Sequence, residues 1–316
     1  MPALSYLSGL LPFGPWKQKD DIPPPLTTAA ASFLLVLYAL SYFIPFYLSP
    51  TTRPSPTLSR DSPTVIRARI RSVVLTCTLC LVSTALILSR FAHSPLPNIL
   101  HLTGIYPLGL LPTLQALLLT TLLFLGPLFH SLVLERSYTS IRASIVEIFT
   151  EPIGFRNIIA GPVTEELLFR SASVPLMLVA ETSLTKTIFL SPIIFGLAHV
   201  HHFYEFRLTN PQVPAAAALA RSIFQLAYTT LFGAYATFLF IRTGSLLAVC
   251  VVHAFCNCMG LPKVWGLLDG PGGRESRAWS VAYYVLLVAG AVGWYKNLWD
   301  WTVCENALVS PERFVR

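Results

Sequence analysis

Three short stretches of this 316-residue chain place acid, imidazole and amide side chains one helical turn apart, inside segments that are otherwise apolar. In GPVTEELLFR (161–170), Glu166 and Arg170 stand four residues apart, in the order that favours an ion pair on one helix face. Glu165 is turned about 100° from that face and has no partner on its own helix. Phe195 and His199 share a face at the same spacing in FGLAH, and His253 and Asn257 do so in HAFCN. A charged group within a lipid-spanning segment costs at least about 2.5 kcal/mol on insertion scales and is retained where it is paired or lines a cavity. Glu165, His199, His253 and Asn257 are therefore expected to converge on one interior cavity.

The chemistry such a set could do is hydrolysis. A carboxylate held away from bulk water is a competent general base near neutral pH. Glu165 with His199 would hold and deprotonate a water, while His253 and Asn257 would donate to the oxyanion formed on a scissile carbonyl. Such donors are worth about 2.7–4 kcal/mol each in other hydrolases. No covalent nucleophile is needed, and Cys256, although adjacent to Asn257, points elsewhere on the helix. A zinc reading uses the same residues, because Glu165, His199 and His253 form a Glu-His₂ set. The chain has no HExxH and Asn257 is a poor zinc ligand, so no metal and no cofactor are expected. Each residue also has a structural reading: interhelical hydrogen bonds for the histidines and Asn257, a structural pair for Glu166 and Arg170, packing for Phe195, and an interfacial loop for His201 and His202. The joint occurrence of these groups at matching depth favours a site.

The elements that must position them are membrane spans. Hydrophobic residues make up 54% of the chain and charged residues 12%, half the share usual in soluble proteins. The net charge of +7 does not point to nucleic acid, because the basic residues sit between apolar segments rather than in a stripe. Eight spans are expected, at about 27–49, 72–89, 108–134, 158–180, 187–200, 219–241, 245–261 and 279–295. The fold class is thus all-α, a polytopic transmembrane helix bundle with an intramembrane cavity open to the cytosolic side. Arg53, Arg60, Arg67, Arg69 and Arg71 mark residues 51–71 as the densest basic loop, which the positive-inside rule places in the cytosol. Cytosolic loops then fall near 50–71, 135–157, 201–218 and 262–278, and the N-terminus is lumenal. Glu165 lies about 10–12 Å in from the cytosolic end of its span, and His199, His253 and Asn257 fall in the same half. The six cysteines are read as free thiols rather than disulfides. No cleaved signal peptide and no C-terminal lipidation signal are expected.

In the order EExxxR, FxxxH, HxxxN, the three stretches resemble the type II CaaX endopeptidases of the CPBP or ABI membrane protease superfamily. The flanks RNIIAGPVTEELLFR, FGLAHVHHFYE and FGAYATFLFIRTGSLLAVCVVHAFCNCMGLP extend the resemblance over about 153–262. It implies a catalytic core there, within a protease domain at 27–295 flanked by tails at 1–26 and 296–316. It further implies an endoplasmic reticulum membrane location, a cytosol-facing site, and release of the aaX tripeptide from farnesylated or geranylgeranylated CaaX proteins such as Ras-like small GTPases. Catalysis would depend on glutamate without metal: Glu165 and His199 activate water, and His253 and Asn257 form the oxyanion hole. Glu166, Arg170 and Phe195 are expected to shape the site, the first two near the substrate's C-terminal carboxylate. A non-proteolytic scaffold of the same fold is countered by the intact Glu165, His199, His253 and Asn257. A proton-coupled transporter would carry a repeat, and the chain shows none.

Overall fold

The computed structural model describes residues 23–198, 200–270 and 273–314, so His199 lies outside the described residues. Among them the regular structure is helical except for a minimal hairpin, Leu268–Asp269 paired antiparallel with Glu275–Ser276. Local sequence explains several helix starts. The Thr27 hydroxyl accepts the Ala30 amide at 3.1 Å and caps Thr28–Phe43. Pro63 opens Pro63–Arg90 at a position where its missing N–H costs nothing. Ser245 caps Leu246–Met259, accepting the Ala248 amide at 3.1 Å while its own hydroxyl donates to the Leu108 carbonyl at 2.6 Å.

Five helices are long and apolar enough to cross a bilayer: Thr28–Leu48, Pro63–Arg90, Leu184–Thr209, Ala215–Thr243 and Arg277–Asn297. Leu110–Leu123 with Leu125–Leu134 makes a sixth if this pair, bent by 80°, counts as one span. The expected count of about eight is not established. The two segments that fall short, 158–180 and 245–261, are those that carry Glu165 and His253. Leu246–Met259 has only 14 residues, about 21 Å of helix against a hydrocarbon core of about 30 Å. Lipid-facing stripes appear on the outer helices instead. Leu75, Leu79, Val82 and Leu86 are exposed along one side of Pro63–Arg90, and Val281, Val285, Val288 and Val292 along one side of Arg277–Asn297.

Three loops are more ordered than their composition predicts. Pro63–Arg90 takes up Arg67, Arg69 and Arg71, which were expected in the loop before the second span. Residues 201–209, expected as polar loop, form the helix His201–Thr209, and the 135–157 connection contains the helix Ile141–Thr150. Glu205 explains the first two. It is buried and draws Arg60 and Arg69 onto itself at 3.1 and 2.7 Å, so a charge that reads as solvated is neutralised inside the fold.

The segment carrying Glu165 is an irregular helix. Ordinary turns at Pro152–Phe155, Gly161–Glu166 and Val174–Val179 alternate with π turns at Arg156–Ala160 and Leu167–Ala172. π turns break the regular hydrogen-bond ladder, and the neighbouring Pro63–Arg90 helix supplies side-chain donors. Cys77 Sγ donates to the Thr164 carbonyl at 3.2 Å, and Thr84 Oγ1 donates to the Ala172 carbonyl at 2.8 Å. On one side Leu168, Phe169, Ala172, Leu176 and Met177 pack with Leu35, Tyr38, Cys77 and Cys80. On the other, Val174 joins Leu119, Phe238, Phe240, Val249 and Val252. The Glu165 segment is thus clamped between the two main apolar cores.

Candidate active site

Glu166 is the hub. It is fully buried, and its Oε1 accepts from Arg170 Nη1 at 2.9 Å and from His253 Nδ1 at 2.7 Å. A carboxylate offers only acceptors, so the imidazole proton on this side sits on Nδ1. Arg170 is equally enclosed. Its Nη2 donates to the Gly233 carbonyl at 3.1 Å, and its Cζ lies 5.1 Å from the centre of the Phe195 ring and 5.9 Å from that of Phe232. Phe232 in turn stacks obliquely on His253, with ring centroids 4.5 Å apart. The guanidinium is therefore held by one carboxylate, one carbonyl and two aromatic faces, and nothing of it remains for a substrate to reach.

With Nδ1 fixed, His253 turns Nε2 toward Glu165, whose Oε2 stands 3.9 Å away. That separation is beyond a direct hydrogen bond and suits two groups sharing one small polar molecule. Glu165 keeps 21% of its side chain exposed while Glu166 keeps none. One glutamate keeps an exposed edge and its neighbour anchors the imidazole. Behind Glu165, the Thr164 hydroxyl pairs with the Tyr42 hydroxyl at 3.2 Å and donates to the Ala160 carbonyl at 2.7 Å. Asn257 lies one turn beyond His253 at an exposed rim, where its Nδ2 donates to the Asn157 carbonyl at 2.9 Å.

Of the residues singled out by sequence, Glu165, Glu166, Arg170, Phe195 and His253 meet in one cluster, whereas Asn257, one helical turn from His253, bonds to Asn157 outside it. His199 lies outside the described residues, so the zinc set that would need it is not assembled from them. Among the described residues no three His, Cys, Asp or Glu side chains form a group able to hold a metal ion. Sequence reading passed over Gly233 and Phe232. The glycine had a signal, since glycine inside a helix costs about 1 kcal/mol relative to alanine. A Cβ at Gly233 would come within 2.7 Å of Pro192 Cβ and 3.3 Å of Arg170 Nη2. Only a bare backbone lets the guanidinium reach that carbonyl.

Residues 147–259, which hold every one of these side chains except Tyr42, match the family described as type II CAAX prenyl endopeptidase Rce1-like. A probable CAAX prenyl protease 2 from Schizosaccharomyces pombe is 37% identical over 265 residues, covering 84% of this chain and 91% of that one. The CAAX prenyl protease 2 of Homo sapiens is 34% identical over 280 residues, covering 84% and 82%. That of Saccharomyces cerevisiae is 31% identical over 304 residues, covering 83% and 93%. No solved structure matches. Likeness that runs through nearly the whole length of three such relatives, together with the spans and the family match around the glutamates, means that this chain belongs to the type II CAAX prenyl endopeptidases, a family of membrane proteases.

Proposed function

We propose that this chain removes the aaX tripeptide from farnesylated or geranylgeranylated CaaX proteins, Ras-like small GTPases among them, in the endoplasmic reticulum membrane with its site open to the cytosol. One observation carries the mechanism: the His253 ring is bracketed by two carboxylates, anchored by Glu166 at 2.7 Å and facing Glu165 at 3.9 Å. Glu165 takes the proton from the attacking water. Glu165 passes that proton to His253 Nε2, 3.9 Å away. The ring, then protonated on both nitrogens, donates to the oxyanion, and Asn257 Nδ2 supplies the second donor after leaving the Asn157 carbonyl. The proton departs on the leaving amine. His199 keeps the role its motif implies, beside Glu165 in holding the water. Glu166 and Arg170 orient His253 and touch no reacting atom.

The membrane bundle suits the substrate. A prenyl group partitions into lipid with about 0.8 kcal/mol per buried CH₂, so the scissile bond reaches the site from the bilayer surface. The arginines of residues 53–71 support a cytosolic mouth.

The test is cleavage of a farnesylated CaaX peptide beside its unprenylated twin. Purified wild-type protein should cut the prenylated peptide much faster, and Glu165→Ala should abolish cleavage while leaving the melting temperature close to wild type. Full activity in that variant would refute the mechanism, and equal rates on the two peptides would refute prenyl selectivity.

A further inference from the structure

We infer that Arg156 binds the free α-carboxylate at the end of the CaaX substrate and so reads the chain terminus. The inference rests on the CaaX reading above and adds the residue that recognises the last atom group of that substrate.

A tripeptide leaving group ends in a negative charge three residues beyond the scissile bond. Placing that charge in hydrocarbon is costly, so it stays at the polar mouth and needs a cation there. Arg170 is enclosed and occupied by Glu166 and Gly233. The mouth carries a separate cluster. Arg156 Nη1 lies 2.7 Å from Asp61 Oδ1 and 3.5 Å from the Arg60 carbonyl, and its Nε donates to Asn157 Oδ1 at 2.9 Å. Arg60 and Arg69 share Glu205, and His202 Nδ1 lies 3.3 Å from the same carboxylate. Three guanidiniums face two carboxylates, which leaves one uncompensated positive charge, the complement of one carboxylate.

The reach fits. Asn157 touches both ends of the required span, since its side-chain oxygen takes Arg156 Nε and its main-chain oxygen takes Asn257 Nδ2. Bond lengths within one residue then hold Arg156 Nε and Asn257 Nδ2 to at most about 11 Å apart. Three extended residues span about 10–11 Å. A carboxylate three residues beyond a scissile carbonyl at Asn257 can therefore reach Arg156. Asp61 is half exposed and occupies the guanidinium as a carboxylate would. A substrate terminus can exchange with it, like for like.

The experiment compares kcat/KM for one farnesylated CaaX peptide ending in a free acid and for the same peptide ending in an amide. Wild-type protein should prefer the acid by about 10–100-fold, the value of one charge-assisted contact. Arg156→Gln should bring the acid down to the amide rate and leave the amide rate within about twofold. Asp61→Asn removes the competitor and keeps the cation, so it should raise the acid preference, and it carries the test if Arg156→Gln yields no folded protein. An acid-to-amide ratio unchanged in both variants, or absent in the wild type, overturns the inference while leaving CaaX cleavage standing. Failure of wild-type protein to cleave either peptide would instead remove the CaaX reading, and this inference with it.

Discussion

Glu166 and Glu165 are adjacent, chemically identical and put to different uses by one helical step. Glu166 points to the bundle interior, where its charge is cancelled by Arg170 and its geometry fixes His253. Replacing it with glutamine keeps size and hydrogen-bonding capacity but leaves a buried guanidinium without its counter-charge. Breaking such a pair costs about 3–5 kcal/mol. Glu166→Gln should therefore lower thermal stability in detergent by that amount and lower kcat by more than about 100-fold, because the imidazole loses its anchor. A variant with wild-type melting temperature would show that the pair is not the anchor described. The Glu166–Arg170 pairing was legible in the sequence, since four-residue spacing on a helix fixes it. Placement of His253 between the two glutamates was not, because it depends on how Leu246–Met259 crosses the irregular helix. That crossing is set by the packing of Val249 and Val252 against Phe238, Phe240 and Val174.

At the scale of elements, the helix carrying Glu165 is held in an irregular form by donors from its neighbour. Cys77 and Thr84 read as ordinary small residues of an apolar span, yet they donate to the Thr164 and Ala172 carbonyls, before and at the end of the second π turn. The apolar character of this segment was legible from hydropathy, although it falls short of a full span, whereas its two π turns leave no mark in periodicity and appear only in the folded chain. Thr84→Val keeps the shape and removes the hydroxyl, which donates to Ala172 and also pairs with the Tyr38 hydroxyl at 3.1 Å. Leaving a buried carbonyl unsatisfied costs about 1–3 kcal/mol. The expected result is a lower melting temperature with the prenylated-peptide selectivity intact. Loss of activity without loss of stability would instead mean that the Thr84 contact tunes the site directly.

Across the whole molecule, residues 49–62 strap three distant elements together at the arginine-rich end. Arg69 Nε donates to the Thr52 carbonyl at 3.0 Å, Arg60 and Arg69 both grip Glu205, and Asp61 holds Arg156 at the start of the site segment. The basic composition of this region predicts a loop between spans. Its role as a clasp was hidden because the acid it needs, Glu205, lies more than 130 residues away in sequence. Glu205 is nearly inaccessible, Arg69 largely so, and Arg60 is 40% exposed. Glu205→Gln thus strands one guanidinium in the interior, while the other can turn to water. The cost should fall below the full price of a buried pair, at about 2–4 kcal/mol. Because the Arg60 carbonyl also accepts from Arg156, the loosened strap should reduce the acid-over-amide preference at the mouth without erasing cleavage of the amide peptide. Thermal unfolding and paired peptide kinetics on Glu205→Gln check both halves. Unchanged melting with unchanged selectivity would show that the strap is decoration on a bundle that its apolar cores alone hold in register.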